Sequence, residues 1–174
     1  PIVFYTYYNL IFSQGVNEYI GKAKEVGVDG LLTLDLPPEE AEELVEISNR
    51  FQIKNIFIIA PTTPVNRIPV IVEKASGFLY YVSREGVTGE REDLAGDLKE
   101  RVHAIREHTN LPVVVGFGIS NLAQVREVSS CADGVVVGSA LVNCISENLG
   151  DSGKISEIIG NKVEALTAGL ARSS

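Results

Sequence analysis

Short apolar, β-branched or aromatic runs alternate along this chain with longer stretches in which apolar residues recur every three or four positions. The runs near Ile2–Tyr7, Gly30–Leu34, Asn55–Ala60, Phe78–Val82, Pro112–Gly116 and Gly134–Val137 have strand length and are apolar on both faces, the pattern of covered parallel strands. The periodic stretches predict helices near Val16–Val26, Pro38–Asn49, Pro64–Lys74, Leu94–His108 and Leu122–Ser129, then Ala140–Asn148 and Lys154–Leu170. Local punctuation agrees. Pro37-Pro38-Glu39-Glu40 puts a fixed φ and then acids into a first turn, where the macrodipole favours negative charge. Thr62-Thr63-Pro64 repeats the start signal, and Gly27 stands where a helix C-terminal cap belongs. Strand followed by helix, six times over, predicts βα units around a parallel sheet.

Two of these strands end alike. Val113-Val114-Val115-Gly116-Phe117-Gly118-Ile119-Ser120 and, one unit later, Asp133-Gly134-Val135-Val136-Val137-Gly138-Ser139-Ala140 each finish in glycine and run into a helix. Glycine lets backbone approach an anion, and unpaired N–H groups at a helix start point at it. In a (β/α)8 TIM barrel the loops after strands seven and eight commonly hold a substrate phosphate. That reading makes the chain α/β, a truncated six-unit portion of a TIM barrel carrying strands 3 to 8, with residues 1–174 as a single domain forming the C-terminal three quarters. The two remaining units are expected upstream of Pro1, in keeping with a sequence that contains no methionine. A complete open sheet of the flavodoxin type has the same alternation, and periodicity does not separate the two. The charged, glycine-containing stretch from Ser83 to Asp93 is expected to be a flap over a site.

Composition narrows the function classes. A formal charge of -8 works against a nucleic-acid footprint, which concentrates Lys and Arg. The longest apolar run, Ile56–Pro61, is far below the roughly 20 residues that span a bilayer, and no signal-peptide pattern opens the chain, so the expected compartment is the cytoplasm, without a membrane partner. Cys131 and Cys144 lack metal or disulfide spacing and are expected to be free thiols; no metal site is expected. His103 and His108 lie in a charged helical stretch and are expected on the surface. The carboxylates of Glu39-Glu40-Ala41-Glu42-Glu43 point several ways round a helix, which makes a solvated face rather than a metal cluster. Asp35 follows a strand on the side where barrel sites gather, and it is read as a loop or interface residue. Tyr80 and Tyr81 alternate across a strand, so one ring faces the interior and the other the helices.

Several motifs are more specific. Tyr7-Tyr8-Asn9 with Ile11-Phe12, Gly27-Val28-Asp29-Gly30, Asp35-Leu36-Pro37-Pro38-Glu39-Glu40, Ala60-Pro61-Thr62-Thr63-Pro64, the run from Gly77 to Gly89, and the two glycine loops resemble the α subunit of tryptophan synthase, in order and spacing, from Pro1 nearly to the end. The resemblance implies a barrel lyase of tryptophan biosynthesis that cleaves indole-3-glycerol phosphate to indole and glyceraldehyde 3-phosphate. It implies an α2β2 assembly in which the β subunit carries pyridoxal phosphate, so the α chain itself needs no cofactor. The family's catalytic Glu and Asp are expected upstream of Pro1, leaving no catalytic residue in this chain, which alone is expected to be inactive.

What the resemblance carries over is binding. It assigns Gly89, Phe117, Gly118, Ile119, Gly138 and Ser139 to the substrate phosphate; Tyr5, Leu32, Ile58 and Tyr80 to the indole pocket; and Thr88 to the flap. Asn9, Phe12, Asp35, Leu36 and Pro37 resemble the surface that meets the β subunit. Tyr5 and Leu34 depart from the family's more usual aliphatic and smaller residues, and Leu10 replaces a frequent proline. Two other readings share the glycine loops: another phosphate-binding barrel enzyme, such as a ribulose-phosphate epimerase or thiamine-phosphate synthase, and a non-catalytic phosphate-binding regulatory module. The first would need a Lys, His or metal-ligand set at the strand ends, which the sequence lacks.

Overall fold

A computed structural model describes residues 1–83, 94–116 and 118–170, with the side chains of 94–96 and 152 excepted. The expected flap with Thr88 and Gly89, and also Phe117, lie outside the described residues. The chain forms two compact units, Pro1–Tyr80 with Ile105–Pro112, and Tyr81–Ala104 with Val113–Ser174.

The first unit runs β1 (Val3–Thr6), α1 (Tyr8–Phe12), α2 (Val16–Glu25), β2 (Gly30–Thr33), α3 (Glu42–Arg50), β3 (Lys54–Ile59), α4 (Ile68–Lys74) and the start of β4 (Leu79–Val82). β1 lies parallel to β2 with Tyr5 beside Leu32, and β2 lies parallel to β3 with Leu32 beside Ile56. Ile20, Leu31, Leu44, Ile47, Ile53, Ile68, Ile71 and Leu79 form the buried layer. The second unit runs from the end of β4 through α5 (Leu94–Arg106), β5 (Val113–Gly116), α6 (Leu122–Ser129), β6 (Gly134–Val136), α7 (Ser139–Ser146) and α8 (Ser152–Thr167). β5 lies parallel to β6 with Gly116 beside Val136, and Val113, Val115, Val125, Val128 and Leu166 are buried.

All six predicted strands and every predicted helix are present, most with shifted ends. The prolines account for two shifts. Pro38 opens a 3-10 turn, Pro38–Glu40, and α3 begins only at Glu42; a second 3-10 turn, Val65–Arg67, precedes α4. Pro69 sits in the first turn of α4, where its missing N–H costs nothing; deeper in a helix begun at Pro64 its ring would clash with the preceding turn. The expectation that the strands are covered on both faces holds for β2, whose Gly30, Leu31 and Leu32 are all buried, but not for β1, where Val3 and Tyr5 are exposed.

The strand starts share one device. Ahead of β2, the Asp29 N–H donates to the Ile2 carbonyl at 2.8 Å, while the Asp29 carboxylate accepts the Ile2 N–H at 2.7 Å. Ahead of β4, the Ser76 N–H donates to the Asn55 carbonyl and the Ser76 hydroxyl accepts the Asn55 N–H, each at 2.8 Å. Ahead of β6, Asp133 repeats the exchange with Val113 at 2.9 and 2.8 Å. Each clamping residue is followed by glycine. At Gly30 a Cβ would lie 2.7 Å from Ile56 Cδ1, and at Gly134 it would lie 2.8 Å from Val114 Cγ1, so a side chain at either position would oblige its neighbour to shift.

Asn55 is buried, and its N–H would lose its partner if the Ser76 hydroxyl were removed. A buried donor left unpaired costs about 1 to 3 kcal/mol. Ser76→Ala is therefore expected to lower unfolding stability by that amount in a urea titration; an unchanged midpoint would show that the clamp contributes nothing.

Candidate functional site

Two loops of the second unit carry the predicted anion site. Gly118 and Gly138 each lie two residues beyond the paired Gly116 and Val136, so they leave adjacent parallel strands at one level. Gly118 has φ +68°, a left-handed conformation that costs glycine little, and it is exposed, whereas Ile119 is buried and anchors the loop. The helices that follow begin differently. α6 is self-capped: the Asn121 side chain accepts the Gln124 N–H at 3.0 Å, and Gln124 Oε1 accepts the N–H groups of Ser120 at 2.8 Å and Asn121 at 3.3 Å. α7 has no side-chain cap, and Gly138 and Ser139 at its start are exposed. The first amides of a helix have no intrahelical acceptor. The start of α7 therefore offers its first amides to an external anion without a side-chain cap in the way, whereas the start of α6 is already capped by Asn121 and Gln124.

The predicted ring-binding residues lie on one sheet face of the first unit. The register places Tyr5, Leu32 and Ile56 side by side, and Ile58, two residues beyond Ile56, points the same way. Tyr80 completes the set. Burial first, and the neighbouring Tyr5 phenol second, push its hydroxyl above the ordinary tyrosine value of 10.0. Tyr81 turns the other way, as alternation requires: it is buried and feels Arg101 and Asp97 of α5.

Of the residues assigned to a partner surface, Asn9, Phe12 and Asp35 meet at α1, whereas Leu36 is buried. Tyr8 N–H, at the helix start, donates to Asp35 Oδ1 at 2.6 Å, so a carboxylate from beyond β2 caps a helix whose own N-cap position, Tyr7, supplies no side-chain bond. The capped helix presents exposed Asn9 and Phe12, and the Tyr8 and Phe12 rings sit 5.9 Å apart. Asp35, Leu36 and Pro37 also line a pocket at the ends of β2 and β3 with Thr33, Phe57, Ile58 and Arg67. Arg67 bridges to Glu39 at 2.8 Å.

A family model described as "Tryptophan synthase alpha chain" matches residues 1–169. The chain belongs to the tryptophan synthase alpha chain family. It is 58% identical over 172 residues to the tryptophan synthase alpha chain of Opitutus terrae, covering 99% of this chain and 65% of that one. With the alpha chain of Methanocaldococcus jannaschii it shares 44% over 157 residues, 90% of this chain and 56% of that one. Among solved structures, a chain from a study of the tryptophan synthase α2β2 complex of Pyrococcus furiosus superposes with a TM-score of 0.85 at 40% identity, covering 97% of this chain and 67% of that one. The tryptophan synthase alpha subunit of Campylobacter jejuni does so at 0.82 and 38%, covering 94% and 64%. The chain thus spans between 56% and 65% of the length of these two curated relatives. The likeness settles the fold class as the α/β barrel type, carried here by six βα units, over the flavodoxin-like alternative.

In this member of the tryptophan synthase alpha family the remaining polar candidates lie where the sequence put them. His103 and His108 are exposed, as are the four glutamates from Glu39 to Glu43, and both thiols are partly exposed. Among the described residues no group of three or more His, Cys, Asp or Glu could hold a metal, and no helix is long and apolar enough to cross a membrane. Sequence reasoning missed helix α1, the role of Asp35 as its cap, and Arg67. The first was hidden because α1 is only five residues long, too short for a periodicity to register.

Proposed function

We propose that this chain supplies the phosphate-binding and ring-binding parts of an enzyme that cleaves indole-3-glycerol phosphate in tryptophan biosynthesis. The observation that carries the reading is the family match over residues 1–169 combined with the uncapped, exposed start of α7 at the position the family resemblance assigns to phosphate. The reaction is a retro-aldol cleavage. The bond between the indole ring carbon and the glycerol side chain breaks, the ring carbon gains a proton, and a side-chain hydroxyl loses one to become the aldehyde of glyceraldehyde 3-phosphate. It needs a general acid/base and a carboxylate that steadies the ring N–H. By resemblance no residue of this chain takes either role. The backbone N–H groups around Gly118, Gly138 and Ser139, with Gly89, Phe117 and Ile119, are assigned the phosphate; Tyr5, Leu32, Ile58 and Tyr80 are assigned the ring; and Thr88 belongs to a flap that excludes water. No cofactor is assigned to this chain. Pyridoxal phosphate belongs to a β subunit that docks on Asn9, Phe12, Asp35, Leu36 and Pro37.

The 174-residue chain is expected to release no indole from indole-3-glycerol phosphate above background, and to gain activity when fused to the N-terminal part of a full-length relative. Cleavage by the short chain at the rate of a full-length alpha chain would overturn this assignment. Phosphate binding needs only the loops present here. A Cβ at Gly138 meets open space, so Gly138→Val is expected to leave stability nearly unchanged while weakening glycerol 3-phosphate about tenfold in titration calorimetry, by obstructing approach to the amides. Equal affinity would remove Gly138 from the site.

The partner surface has the composition of an apolar anchor with a polar rim. In the fusion with the complete chain, Phe12→Asp is expected to reduce capture of a cognate β subunit at least tenfold while leaving glycerol 3-phosphate affinity within twofold. Undiminished capture would place the interface elsewhere.

A further inference from the structure

Two aspartates bracket β2. Asp29, just ahead of it, accepts the Ile2 N–H at 2.7 Å, and Asp35, just beyond it, accepts the Tyr8 N–H at 2.6 Å. Each bond joins residues 27 positions apart, one before β1 and one after it, so β1 is tied to the flanks of β2 at both ends. The Leu34 N–H donates to the Thr6 carbonyl at 3.0 Å and brings the two exits together just ahead of the outer tie. Helix α1 depends on that tie. It has five residues, too few to hold a helix in water by its own hydrogen bonds, and of its side chains only Ile11 is buried. Tyr7 gives it no side-chain cap, so Asp35 supplies from a distance what an N-cap residue supplies locally. Arg67, which lines the same pocket as Asp35, pairs with Glu39 instead, at 2.8 and 2.9 Å.

What the cap holds in place is exposed. Asn9 and Phe12 both stand open to solvent, and the Phe12 ring sits 5.9 Å from that of Tyr8, the residue whose N–H Asp35 takes. The tie thus reaches Phe12 in two steps, a hydrogen bond and a ring contact between residues four apart on one helix face. We infer that Asp35 is a positioning residue for partner recognition: by capping α1 it holds Asn9 and Phe12 in the arrangement a β subunit meets, and its negative charge is not what the partner reads. The inference rests on the proposed docking of a β subunit at α1, and it says how one residue of that surface acts. A surface ordered before binding loses less conformational freedom on binding, so loosening α1 weakens capture with no contact removed. An amide oxygen accepts an N–H as a carboxylate oxygen does, and Asn and Asp are about equal as helix caps. Asp35→Asn therefore keeps the cap and deletes the charge, whereas Asp35→Ala deletes both.

The test compares both variants with the parent in two measurements. One is amide hydrogen exchange at Phe12 and Ser13, the far end of α1, in the 174-residue chain; the other is capture of a cognate β subunit by the chain fused to the N-terminal part of a full-length relative. Asp35 is exposed, so neither substitution opens a cavity, and far-ultraviolet circular dichroism confirms folding. Asp35→Ala is expected to speed exchange about five- to tenfold and to weaken capture by a similar factor, while Asp35→Asn leaves both within about twofold of the parent. If Asp35→Asn weakens capture as much as Asp35→Ala while α1 keeps its protection, the partner reads the charge and the inference is overturned. Unchanged exchange in Asp35→Ala overturns it too, and both results leave the docking surface standing. Faster exchange with capture intact, or a parent fusion that captures no β subunit, overturns the docking reading and the inference with it.

Discussion

Parallel strands cannot be joined by a tight turn, so their register has to be fixed by something other than the connection. In this chain it is fixed at the strand starts. A residue followed by glycine, just ahead of a strand, exchanges two hydrogen bonds with the start of the preceding strand, one through its backbone and one through a side-chain oxygen, and Asp29, Ser76 and Asp133 all do so. A one-residue slip would break both bonds at once and would also turn every side chain to the opposite face. The glycine that follows belongs to the same constraint, because at Gly30 and Gly134 the neighbouring strand's Ile56 and Val114 already fill the space of a Cβ. With the starts fixed and the strands short, the C-terminal ends fall at fixed levels. That is how Gly118 and Gly138 come to leave β5 and β6 two residues past one register pair.

The elements and their order were legible because each depends on a local signal: apolar runs for strands, three-to-four spacing for helices, proline and glycine for ends. Helix α6 matches its expected limits, Leu122–Ser129, and its capping box is written in Asn121 and Gln124. The two glycine loops were legible as loops for a related reason: glycine at the end of a strand marks where the chain leaves the sheet, and Gly118 and Gly138 both stand there. Illegible were the features that depend on distant partners. Nothing near Tyr8 indicates that a helix starts there, since its cap comes from Asp35, 27 residues on. The exposure of β1 was missed because an apolar sequence records what a strand can be packed against, not what packs against it.

Net charge poses a last question for a chain read as binding a phosphate. At -8 the molecule repels a dianion at long range, so the site cannot rely on the whole-protein field that draws ligands to basic clefts. Screening limits that repulsion to about 8 Å at physiological salt, within which only local groups count. The first turn of α7, Ser139 to Val142, offers backbone amides and carries no acidic side chain. Amide dipoles fixed at a helix end act over a short distance and need no net positive charge. On the function proposed above, the anion would be recognised by hydrogen bonding to fixed backbone dipoles rather than drawn in by net positive charge.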